Sequence, residues 1–151
     1  MSQDASLGDG ASDLMFNGGT LRVTGQSFSQ TARNLQWSAQ GGAFDIASAS
    51  NRFTVGQALS GAGDLVKLGA GTLVLTGTNA YGNTRVEAGT LVGNTDSIRG
   101  NLQNNGFVVF DQASSGTFGG DISGSGEATK TGAGVLTLSG RSVQNLSLIH
   151  I

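Results

Sequence analysis

Apolar and polar residues alternate with period two in a series of short runs, the signature of strands that bury one face. Such runs fall at 20–23 (TLRV), 34–37 (NLQW), 43–46 (AFDI), 52–55 (RFTV), 65–68 (LVKL) and 72–76 (TLVLT). They continue at 84–87, 90–92, 107–110, 128–130 and 135–138. Between them sit Gly, Asn, Ser and Asp, residues that tolerate left-handed backbone and tight turns. No window of a dozen residues carries a helical stripe. The nearest, residues 27–40, places Thr, Asn and Ser where a buried helix face needs apolar side chains. The pattern predicts an all-β chain.

The runs are themselves repeated. LSGAGDLVKLGAGTLVLTG (residues 59–77) returns as ISGSGEATKTGAGVLTLSG (residues 122–140), offset by 63 residues and identical at ten of 19 positions. A shorter motif of Gly, a β-former and Leu recurs as GGTLRV, AGTLVL, AGTLVG and AGVLTL, with GGAFDI and NGFVVF as weaker relatives. Repetition of this kind means stacked coils, each of which buries its apolar face only against its neighbours. Divided into three, the offset gives coils of about 21 residues and a β-solenoid of about seven coils, roughly 35 Å tall at ~4.8 Å per coil. Leu73, Leu75, Leu91, Leu136 and Leu138 are expected to point inward. Gly69, Gly71, Gly132 and Gly134 are expected at corners without room for a Cβ or with positive φ. Lys67 and Lys130 are expected on the outer wall, about three coils apart. Residues 1–140 read as one β-helix unit, with its clearest repeats at 59–93 and 122–140. Residues 141–151 (RSVQNLSLIHI) lack Gly and leave the coil pattern. A run-on or truncation scar is the preferred reading of this tail, and a genuine strand or cap is the alternative.

Residues 59–93 (LSGAGDLVKLGAGTLVLTGTNAYGNTRVEAGTLVG) closely resemble the passenger-associated transport repeat of bacterial autotransporters, also described as an autotransporter-associated β-strand repeat. The matching residues are Gly61, Gly63, Leu65, Lys67, Gly69, Gly71, Thr72, Leu73, Leu75, Gly77, Asn79, Tyr81, Thr84, Val86, Gly89, Thr90 and Leu91. The second copy keeps the Gly/Lys/Leu frame, has Val135 for Thr72 and Ala128 for Leu65, and stops before the Asn-x-Tyr half. The resemblance implies a right-handed parallel β-helix in the secreted passenger of an outer-membrane autotransporter. It also implies export through a C-terminal membrane barrel, and a cell-surface location. No series of amphipathic ten-residue strands of barrel type is present here, so the expected barrel partner lies outside this chain.

Composition narrows the functional classes. Charged residues make up 12% and the net charge is −2, so neither nucleic acid nor an anionic membrane is an expected partner. Cysteine is absent, which excludes disulfides and thiolate metal sites. Residues 1–10 lack the basic start and apolar core of a signal peptide, and no 18-residue apolar run exists. Direct membrane insertion is therefore not expected, and the chain reads as an internal passenger segment. Gly is abundant at 26 residues and Pro absent, yet the 37% hydrophobic content and its alternation argue against disorder.

The chemistry of a catalytic site is sparse. A β-helix lyase or hydrolase needs carboxylates clustered on neighbouring coils. The acids are Asp4, Asp9, Asp13, Asp45, Asp64, Glu87, Asp96, Asp111, Asp121 and Glu127. Of these, Asp64 and Glu127 occupy equivalent repeat positions far apart, and Asp111 and Asp121 are the pair that adjacent turns would bring together. Solvated turn carboxylates remain the simpler reading of all ten. Gly61-Ala62-Gly63-Asp64 lacks the tandem copies of a calcium-binding nonapeptide. His150, the single histidine, excludes an ordinary zinc site, and Gly69-Ala70-Gly71 lacks the helix of a dinucleotide loop. Trp37 is expected under a loop and Tyr81 at a coil turn, and the Asn145-Leu146-Ser147 sequon carries no weight. No catalytic, cofactor or metal residue is assigned. The expected function is a non-catalytic stalk that assists export by stepwise folding and presents surface domains. An adhesin binding glycan or host protein along the wall is the first alternative, and a fragment of a carbohydrate-active enzyme the second.

Overall fold

The computed structural model describes residues 12–141 and 145–148. Every strand pairing is parallel, and strands adjacent in a sheet are separated in sequence by a whole coil. Two sheets of six strands each run the length of the stack. The first contains Thr20–Val23, Gly42–Ile46, Leu65–Leu68, Thr84–Val86, Leu102–Asn104 and Ile122–Ser123. The second contains Arg52–Val55, Thr72–Leu75, Thr90–Gly93, Phe107–Asp111, Glu127–Thr131 and Asn145–Leu148. A third side is broken. Leu14–Phe16 pairs with Leu35–Trp37 at one end, and Gly116–Phe118 with Leu136–Leu138 at the other. Between them lies a single bridge, Ser60 to Ala80. The chain is thus a parallel β-solenoid of about six turns, close to the expected seven.

The registers show that the coils are unequal. The step from one coil to the next is 23 residues at Gly42 to Leu65 and 17 at Thr90 to Phe107. The alternation of each strand directs one row inward. Phe53, Leu73, Leu91, Val108 and Ala128 stack as one interior ladder of the second sheet, all nearly inaccessible to solvent. Leu75 is likewise buried, while Leu136 and Leu138 pack on the core from a partly buried position. The early coils are filled by aromatic rings: Phe16 lies 5.1 Å from Trp37 and 5.0 Å from Phe44, centroid to centroid. The later coils are filled mostly by aliphatic residues, with one buried ring pair, Phe110 and Phe118, 5.3 Å apart. Where the second sheet places Gly93 inside the stack, Ile98 and Ser97 from the following turn occupy the space that a Cβ would need.

Two corners explain the glycine signal. Gly69 has φ +79°, a conformation that costs little only without a Cβ. Gly71 has an ordinary φ but lies against Ile46 and the Ser48 carbonyl, so any side chain there collides with the preceding coil. Within the off-pattern tail, Asn145–Leu148 pairs with Glu127–Thr131 and adds a strand to the second sheet.

Candidate functional site

The walls and corners of the solenoid hold the polar groups available for function. The largest departure from the sequence reading concerns the lysines. Lys67 and Lys130 are not on the outer wall: both are buried, at 0% and 2% exposure. The reason is the pleat. In Leu65–Leu68 the inward residues are Leu65 and Lys67, and Lys67 sits in register between Phe44 of the coil before and Val86 of the coil after. Its aliphatic stem fills the core ladder, and its ammonium reaches the corner, where Nζ donates to the carbonyls of Leu68 (2.6 Å), Gly69 (2.8 Å) and Ala88 (3.2 Å). Ala88 belongs to the next coil, so one side chain ties two turns. Burial pushes the Lys67 pKa down to about 8, against the opposing pull of Asp45. Lys130 repeats the corner contact, donating to the Gly132 carbonyl at 2.6 Å.

Asparagines act in the same way. Asn79 accepts the Leu59 N–H at 2.9 Å and donates to the Ser97 carbonyl at 3.0 Å, bridging three coils from a buried position. Tyr81 is buried at the turn. Its hydroxyl shares a 2.7 Å hydrogen bond with Thr84 Oγ1 and accepts the Arg99 N–H at 3.2 Å. Burial raises its pKa to about 12. Trp37 packs against Phe44 and donates from Nε1 to the Gly63 carbonyl at 3.0 Å. Among the described residues no buried side-chain polar atom lacks a partner. The polar interior is therefore structural wiring, with no free group aimed at a ligand.

The carboxylates are dispersed. Asp111 ends a strand of the second sheet and accepts from the Thr131 hydroxyl at 3.2 Å. Asp121 precedes the Ile122–Ser123 strand of the first sheet, with the Gly116–Phe118 strand of the third side between the two. Asp64 and Asp121 accept backbone N–H groups of the following coil. Asp45 pairs with exposed Arg22 at 3.5 Å, and Glu87 pairs with Arg85. Among the described residues no three His, Asp or Glu side chains converge on a common point. Asp4, Asp9 and His150 lie outside the described residues.

Open grooves follow the broken third side and the corners. One of about 340 Å³ is lined by Asn94, Asp96, Arg99, Gln112 and Ser114, where a turn at 94–98 replaces a strand. Another, about 290 Å³, runs along the first sheet past Asp64, Asn83, Arg85, Asn101, Gln103 and Ser123. Both are open to solvent; the first is polar and the second mixes polar and apolar surface. The sequence pattern did not mark either, because the first joins two adjacent coils and the second draws residues from four successive coils.

Comparison with known proteins bears on what such a stack is for. Residues 65–92 and 129–143 match the family described as Passenger-associated-transport-repeat. Over 90 residues, 57% of this chain, the sequence is 42% identical to a protein of Brucella suis biovar 1 (strain 1330) named Adhesin BmaC autotransporter. The matched stretch spans 3% of that protein's length. No solved structure matches. The matched segments take in both corner lysines, Lys67 and Lys130, with both flanking strands at the first corner and, at the second, Leu136–Leu138 and the end of Glu127–Thr131. The chain is a parallel β-solenoid of which residues 65–92 and 129–143 are similar to passenger-associated-transport repeats.

Proposed function

We propose that this segment is a non-catalytic stalk of a secreted autotransporter-type passenger, held at the bacterial cell surface by an outer-membrane barrel outside this chain. The observation that carries the reading is the continuity of the stack. Each coil from Thr20 to Thr131 contributes an inward apolar row in register with the next, while the polar interior is consumed in coil-to-coil bonds. A coil that docks on its neighbour buries its row and satisfies its corner at the same time. Stepwise docking outside the cell releases free energy at each step and biases the chain outward without a nucleotide. The dispersed carboxylates support the absence of hydrolysis. The test is surface display of the full-length protein carrying Leu73→Asp and Leu91→Asp, read by protease accessibility on intact cells. Display is expected to fall with the barrel still assembled, and full display of an unfolded segment would overturn the reading.

Adhesion is a second reading, favoured by the name of the Brucella relative and by the groove beside Asp64, Asn83, Arg85 and Asn101. Amide, carboxylate and guanidinium groups in one groove suit the hydroxyls of a glycan. Titration with linear chito-oligosaccharide, followed by amide shifts of Asn83, Asn101 and Gln103, checks it. Absence of shifts at millimolar ligand removes this reading for that glycan class.

A further inference from the structure

Four times in succession along one corner, a residue one coil on is held by the Asp or Asn of the coil before, and the first three of these lead into strands of the first sheet. The Asn83 N–H donates to Asp64 Oδ1 at 2.8 Å, and the Asn101 N–H to Asn83 Oδ1 at 2.9 Å. The Asp121 N–H donates to Asn101 Oδ1 at 3.0 Å, and the Arg141 N–H to Asp121 Oδ1 at 2.9 Å. Each held residue is gripped a second time through its carbonyl. Leu65 N–H donates to the Asn83 carbonyl, Thr84 to Asn101, Leu102 to Asp121 and Ile122 to Arg141, at 2.7–2.9 Å. The result is a column of four identical two-bond clasps along one corner of the stack.

We propose that this column sets the register of each incoming coil before its strand pairs. Three observations carry it. First, the strands that follow the clasps are short: Thr84–Val86 and Leu102–Asn104 have three residues and Ile122–Ser123 two. So few ladder bonds resist a slip poorly, and a slip of one residue turns every side chain to the wrong face. Second, loop length does not fix the register, because successive steps along this sheet are 19, 18 and 20 residues. Third, the first two coils, whose strands have four and five residues, carry Gly18 and Gly41 at the same place. The clasp is present where the strand is too short to align itself. The column also places two amides, Asn83 and Asn101, between the carboxylates Asp64 and Asp121, so no two like charges stand one coil apart. The inference rests on the reading that coil-by-coil docking is the work of this segment.

Refolding of the 151-residue chain tests it. Asn101→Ala is expected to slow refolding roughly three- to tenfold and leave the unfolding rate within about twofold, as for an interaction made before the barrier. Asn101→Asp keeps the acceptor and is expected to refold at close to the parent rate in high salt. Pulsed hydrogen exchange on the unaltered chain supplies a readout that needs no variant. The N–H groups of Asn83, Asn101 and Asp121 are expected to gain protection before those of Val86 and Asn104. An effect confined to unfolding, failure of Asn101→Asp to rescue, or clasp amides protected last would each overturn the proposal. Refolding and display separate the two readings. Normal clasp kinetics with lost display sinks the register role alone, and slowed refolding with full display sinks the export role alone.

Discussion

In the first copy of the repeat, Leu65–Leu68 belongs to the first sheet and Thr72–Leu75 to the second. In the second copy the matching stretches are Glu127–Thr131, in the second sheet, and Leu136–Leu138, on the third side. The 63-residue offset is therefore three coils and one further side, rather than three whole coils. The corner nevertheless survives the move. Gly69 and Gly132 have φ of +79° and +85°, and each accepts a hydrogen bond from the lysine two residues before it. The motif thus encodes a strand, a lysine-capped corner and a second strand, and the surrounding stack decides which side they form. What differs is support. Lys67 reaches across to the next coil through Ala88, and Leu73 is fully buried, whereas Leu136 is only partly so.

Truncating the ladder breaks this comparison most sharply. Leu73→Ala is expected to destabilise by about 3–4 kcal/mol and Leu136→Ala by about 1 kcal/mol, since only the first leaves a cavity walled on all sides. Equal shifts in denaturant midpoint would mean that the two copies are equally supported. Gly71→Val and Gly134→Val probe what the copies share. Both glycines lie against backbone of the preceding coil, so each substitution is expected to cost about 2–3 kcal/mol. A tolerated change at either one would show that its corner can widen.

Titration sharpens the reading of the Lys67 corner. The folded-state pKa of Lys67 is about 8, below its ordinary 10.5, so the unfolded chain holds more protons between those values. Stability is expected to rise as pH passes from about 8 to 10.5, by on the order of 1–2 kcal/mol. Tyr81 has the opposite sign. Its pKa is raised from 10.0 to about 12, so the unfolded chain loses its proton first and stability falls across that interval. Chemical denaturation from pH 7 to 11 is expected to show a maximum near pH 10 that Lys67→Met flattens. The smallest effect concerns the tail. Removing residues 141–151 takes one strand from the second sheet and is expected to cost about 1 kcal/mol with the β signal in circular dichroism retained. Loss of cooperative unfolding would make the tail an essential cap.

Much of this architecture is legible in the chain because period-two alternation and stacking report the same thing. Leu73, Leu75 and Leu91 were identifiable as interior from their own runs. The strands Leu14–Phe16, Leu102–Asn104, Gly116–Phe118 and Ile122–Ser123 were not, since two or three residues carry too little alternation to stand out. Lys67 misled for a different reason. A charged residue flanked by Val66 and Leu68 reads as the polar face of its strand, and nothing local shows that the corner supplies three carbonyls to its ammonium. Asp64 and Asp121 read as solvated turns because their partners lie a full coil away. Residues whose partners are a coil distant are the class that a single sequence conceals.

The one-side shift between the copies has a consequence for anything that reads the surface from outside. Were the repeat an exact number of coils, one wall would display the same epitope twice, roughly 15 Å apart. A bivalent antibody or receptor could then gain avidity from the pair. With the second copy carried round to the neighbouring side, the two displays face different directions, and no straight line along the stack meets both. The chain reuses its folding instructions without repeating its appearance.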